Sequence, residues 1–136
     1  MKRVLVLGGG FGGIATAKRL KQKLGDEVEV VLVDRRPYFM VGFRKSWALV
    51  GESPLEAGQK PIDSLSRIGV DVRRATIEAI QPSEKSATVD GERIQADALV
   101  VALGAELNPN AVPGFVEHAY NVYDPNDIPR AEKALS

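Results

Sequence analysis

Two hydrophobic periods share the first third of the chain. Val4 to Leu7 is a continuous apolar run behind Lys2 and Arg3, as expected of a parallel strand buried on both faces. It breaks into Gly8, Gly9, Gly10, Gly12 and Gly13. From Gly12 to Leu24 the period changes: Ile14, Ala17, Leu20 and Leu24 recur at helical spacing, Lys18, Lys21 and Lys23 are expected to face outward, and Gly25 is placed to end the helix. Residues 28 to 33 are β-branched and apolar apart from Glu29, and they end at Asp34. Strand, glycine turn, helix and strand make a βαβ unit.

Beyond Asp34 the pattern loosens. Residues 35 to 69 mix aromatic and basic residues with Gly42, Gly51, Pro54, Gly58 and Pro61, which predicts irregular chain with short helical pieces near 45–50 and 61–68. Residues 70 to 95 read as extended, with turns at Pro82–Lys85 and Asp90–Gly91: a small antiparallel meander. Ala98 to Leu103 is again all apolar and predicts a buried strand ending at Gly104, and a proline-punctuated tail leads to a helix starting near Asp127 or Pro129. The expected fold is α/β: a Rossmann-like parallel sheet carrying a β-meander crossover, in a single domain over 1–136.

Composition narrows the chemistry. Eighteen basic and eighteen acidic residues cancel, so no global charge recruits nucleic acid or an anionic membrane, and any bound anion must be held by local geometry. Cysteine is absent, which removes disulfides, thiolate metal sites and a redox dithiol from these residues. No apolar run reaches the roughly 18 residues of a membrane-spanning helix, and the glycines interrupt what would otherwise pass for the apolar block of a secretion signal. A soluble, cytoplasmic chain is the expectation.

Gly8, Gly10 and Gly13 fit G-x-G-x-x-G, with a strand before and a helix after. The first glycine allows a sharp turn, the second lets backbone approach a pyrophosphate, and the third lets helix and strand pack closely. The helix N-terminus then directs N–H groups and a positive dipole end at the phosphates. Asp34, 21 residues past Gly13, is placed to accept from ribose hydroxyls and to repel a 2′-phosphate. These residues alone specify a dinucleotide and leave NAD and FAD open.

The later order of elements resembles the FAD-binding half of glutathione-reductase-like flavoproteins with two dinucleotide-binding domains. The landmarks are the glycine run 8–13, Asp34, the crossover 70–95, Ala102-Leu103-Gly104 in place of an A-T-G-type motif, and Pro113-Gly114. Asp34 stands where Glu is usual, and Leu103 where Thr is usual. Within that superfamily, residues 35–52 and 100–124 look most like sulfide:quinone oxidoreductases and flavocytochrome c sulfide dehydrogenases, with type II NADH dehydrogenases as near neighbours. The resemblance implies FAD as cofactor, residues 40–48 along the flavin side, and backbone near Ile77 at the adenine. It also implies that the chain is the first segment of a larger flavoprotein whose second FAD segment, NAD-like domain and catalytic cysteines lie elsewhere, with a membrane-peripheral parent left open.

The candidate cofactor-binding residues are therefore Gly8, Gly10, Phe11, Gly12, Gly13, Asp34, Arg35, Ile77, Ala102 and Gly104; no catalytic or metal-ligating set is assigned. Arg36 is grouped with Arg35 as a flanking base, with a solvated loop the favoured reading for both. Trp47 is expected in the core beside Arg44 and Lys45, Tyr38 and Phe39 are expected to dock the loop onto the sheet, and His118 is expected at the surface. A non-catalytic nucleotide-binding module and an NAD-dependent enzyme domain are the rival functions.

Overall fold

Apolar residues on both faces of the first strand require a layer on each side of the sheet it joins. A computed structural model describing residues 1–136 supplies both layers. In chain order the elements are β1 (Lys2–Leu7), α1 (Phe11–Leu24), β2 (Val28–Asp34), β3 (Tyr38–Met40), α2 (Gly42–Leu49), β4 (Gln59–Pro61), β5 (Val70–Arg74), β6 (Ile77–Gln81), β7 (Ser86–Val89), β8 (Glu92–Gln95), β9 (Ala98–Val101), α3 (Phe115–His118) and α4 (Ile128–Leu135), with short 3-10 turns between them. The chain divides into two compact units: Met1–Phe39 with Pro61–Gly104, and Met40–Lys60 with Ala105–Ser136.

The first unit is built on a parallel sheet of order β5-β2-β1-β9. Successive side chains of a strand point to opposite faces, and the core divides accordingly. Val4, Val6, Val30 and Leu32 meet Ala17 of α1 together with Ile62 and Leu65, while Leu5, Leu7, Val31 and Val33 meet Ala87, Val89 and Ile94 of the meander. Each fully buried Leu or Val stabilises by about 1.5–3 kcal/mol relative to exposure. The meander thus has a packing role, covering the face of the sheet that α1 does not.

Several expectations need correction. Residues 70–80 are not one strand of the meander. β5 pairs in parallel with β2, with Val30 opposite Val70, and only β6, β7 and β8 form the antiparallel sheet. Long-range bonds fix the break, from Ala75 N to Asp34 O (3.1 Å) and from Thr76 N to Asp90 Oδ1 (2.8 Å). β9 ends at Val101 and is an edge strand paired only to β1, with Val101 56% and Leu103 50% exposed rather than buried. Lys21 does not face outward. It folds along the end of α1, its side chain 9% exposed, and donates to Gly25 O (2.8 Å), just past the helix end, and to Val28 O (3.3 Å), at the start of β2.

In the second unit α2 packs on α4, burying Ala48, Ile128 and Ala131. Trp47, expected in the core, is 44% exposed with the Arg44 guanidinium 4.6 Å from its ring centroid. Lys45, like Arg44, is half-buried. Its ammonium lies 4.1 Å from the Tyr123 ring centroid and donates to Tyr123 O (2.6 Å), and burial lowers its pKa against the opposing pull of Asp124. His118 is exposed.

Candidate functional site

Three strand ends meet the glycine loop. β1 runs into Gly8, β2 ends at Asp34, and β9 runs into Ala102. β1 lies between β2 and β9, so the chain order reverses there, and in open parallel sheets ligands bind at the carboxyl ends of the strands beside such a reversal. Backbone bonds hold the ends together: Gly8 N donates to Val33 O and Ala102 N to Leu7 O, both at 2.8 Å.

Each fingerprint glycine answers a different demand. Gly8 has φ +106°, in the region that favours glycine, and a Cβ on it would collide with the Ala102 carbonyl. A Cβ on Gly13 would collide with the Gly8 carbonyl oxygen, so α1 can start this close to β1 only because the position is bare. Gly10 differs from both. It is the residue preceding α1, its backbone is extended (φ −85°), and a Cβ there meets nothing within 4 Å. The fold does not require a glycine at position 10.

The start of α1 is electrostatically open. No side chain caps it, its first turn holds no acid, and Lys21 and Lys23 occupy its last turn. A helix leaves its first N–H groups without intrahelical partners and carries a positive dipole end there; here no side chain of the protein answers them. Phe11 is 74% exposed, its ring edge-on to Phe39 at 4.5 Å, and Phe39 packs on the core as expected of a residue docking the loop. Gly12 is exposed, and a Cβ on it would touch Ala102 Cβ at 3.6 Å.

Asp34 is 7% exposed and reaches across from β2. Oδ2 accepts from Gly9 N at 2.6 Å and Oδ1 from Arg36 N at 2.8 Å, while the Arg36 guanidinium donates to both oxygens at 3.3 Å. Burial pushes the carboxyl pKa up. The Arg36 side chain and the N–H groups of Arg36 and Gly9 outweigh it, so the group is held below its ordinary value and stays ionised.

The structure brings Gly8, Gly10, Gly12, Gly13, Asp34 and Ala102 into one constellation. Gly104 follows two residues after Ala102 in an exposed turn (φ +76°), and Arg35 is exposed beside Asp34. Ile77 begins β6 and packs on the core shared by the sheet and the meander. Arg36 was the residue left out of the candidate set. Its signal was the position two after an Asp, where a backbone N–H returns to the carboxylate in an Asx turn.

Residues 2–134 match the sequence profile described as pyridine nucleotide-disulphide oxidoreductase. The chain belongs to this family. Among similar proteins, the Arabidopsis thaliana alternative NAD(P)H-ubiquinone oxidoreductase C1 is 35% identical over 98% of the chain and 29% of its own length, and the Mus musculus mitochondrial sulfide:quinone oxidoreductase is 32% identical over 84% and 25%. The sulfide:quinone oxidoreductase structure from Aquifex aeolicus superposes with a TM-score of 0.90 at 28% identity, covering 99% of the chain and 32% of that protein. The chain therefore spans roughly a quarter to a third of the length of these relatives. No helix in it is long and apolar enough to cross a membrane.

Proposed function

We propose that this chain is the segment of a flavin-dependent oxidoreductase that holds the ADP part of FAD, and that the parent enzyme is of the sulfide:quinone oxidoreductase type. The observation that carries the reading is the uncapped start of α1, facing the open space at Gly10 with the ionised Asp34 one strand away. In this reading the N–H groups at the start of α1 face the pyrophosphate, which Gly10 lets approach the backbone, and Asp34 accepts from the adenosine ribose. Phe11, Gly12, Arg35, Ile77, Ala102 and Gly104 are carried into the site by the family resemblance. Bound FAD would supply the two-electron chemistry, while these residues supply its position.

The 0.90 TM-score to the Aquifex aeolicus enzyme supports the sulfide:quinone assignment. The identity to the Arabidopsis NAD(P)H-ubiquinone oxidoreductase favours a second reading, a segment of a type II NADH dehydrogenase-like enzyme; both place the same cofactor end on the same loop. The all-apolar edge strand β9 lacks the charges or proline that guard natural edges, which supports further chain, such as a second FAD segment, pairing there; an NAD-like domain and a cytoplasmic, membrane-peripheral parent belong to the same proposal through the family resemblance. Dialysis of the purified chain against FAD, NAD and AMP tests the cofactor. Saturable retention of yellow flavin is expected; stoichiometric NAD or AMP binding with no affinity for FAD would overturn the proposal.

A further inference from the structure

The Asp34 carboxylate is fully subscribed. An ionised carboxylate offers about four acceptor positions, and four donors fill them: Gly9 N at 2.6 Å, Arg36 N at 2.8 Å, and Arg36 Nε and Nη2 at 3.3 Å each. A ribose diol brings two hydroxyl donors and finds no free acceptor on this carboxylate. The four bonds are not equal. The two backbone donors are short and set by the loop and the Asx turn, whereas the two guanidinium bonds are long and come from a side chain that is 58% exposed. The pair of acceptor positions that can be vacated without disturbing backbone is the pair Arg36 holds.

We propose that Arg36 is a gate on the ribose subsite: its guanidinium competes with the ribose hydroxyls for Asp34 and must swing off the carboxylate when a nucleotide binds. The inference rests on the ADP-binding reading and adds to it a residue that sets how much the ribose contributes. Arg36 keeps the buried carboxylate satisfied while no nucleotide is bound, which an unpaired buried charge would otherwise make costly. The exchange lowers the ribose contribution by the worth of an ion pair whose guanidinium side is exposed to solvent, about two- to fivefold in affinity.

The test compares ADP with 2′,3′-dideoxy-ADP on the purified chain and on Arg36→Leu, with Arg36→Gln as a second variant that keeps a polar side chain. Both variants retain the backbone bond from residue 36 to Asp34. Removing a positive charge near the site weakens both ligands through their phosphates, so the readout is the ratio of dissociation constants, dideoxy-ADP over ADP. Arg36→Leu should raise that ratio about two- to fivefold. An unchanged ratio, or a lower one, overturns the gate while leaving ADP binding intact. Absence of ADP binding by the unaltered chain overturns the gate together with the proposed function.

Discussion

Gly13→Ala and Gly10→Ala add the same methyl group within four residues of each other, and the structure assigns them opposite consequences. At position 13 the new carbon falls well inside contact with the Gly8 carbonyl oxygen, a backbone atom held between β1 and α1, and also meets Val6 Cγ1 at 3.4 Å. Neither neighbour is the flexible end of a long side chain. Overpacking in a well-packed region costs about 1–3 kcal/mol, and backbone on both sides puts this case at about 3 kcal/mol or more. At about 4 °C per kcal/mol for a chain of this size, Gly13→Ala lowers the melting temperature by roughly 12 °C. At position 10 the carbon meets nothing within 4 Å and φ is −85°, which any residue adopts, so Gly10→Ala stays within about 2 °C or rises slightly as the unfolded chain loses freedom. Thermal unfolding followed by circular dichroism reads both. Equal melting temperatures, or a larger loss at position 10, would refute the assignment of packing to Gly13 and open space to Gly10.

Asp34 predicts a pH dependence. Its folded pKa is depressed, so its contribution to stability is fully present above the unfolded value of about 3.9 and is lost as pH falls through the lower folded value; thermal melts of Asp34→Asn should fall less steeply with acid than those of the unaltered chain. Asp34→Ala removes the acceptor of Gly9 N and should destabilise at pH 7 by about 1.5–3 kcal/mol, read from urea unfolding. Lys45→Met removes the ammonium from Tyr123 O and from the tyrosine ring, and a loss of about 1 kcal/mol in the same measurement is expected.

The βαβ unit was legible because its signals are local: an apolar run, a change of period and a glycine cluster each act within a few residues. β5 was not, since an alternating extended stretch carries no mark of which sheet it joins. The break at Ala75 and Thr76 is made by Asp34 and Asp90, one distant in sequence and one across the hairpin. The apolar composition of β9 correctly implied a strand, but burial depends on neighbours, and this strand pairs with β1 alone. Lys21 and Trp47 departed from expectation for a related reason. A lysine stem can lie along apolar surface while its head finds carbonyls, and an aromatic ring can be stacked by an arginine without entering the core. In the site, the glycines and Asp34 were legible from spacing alone. The Arg36 guanidinium was not, because its relation to Asp34 depends on a turn whose side-chain geometry the sequence leaves open.

The claim that the glycine loop holds the pyrophosphate of FAD is tested most directly by Gly10→Val. The extended backbone and open space at position 10 let the variant keep its fold, while the branched side chain fills the space the phosphates would need. Titration of FAD, followed by the change in flavin fluorescence, should show saturable binding to the unaltered chain and none to Gly10→Val at a matched melting temperature. FAD binding of equal affinity in the two proteins would contradict the account.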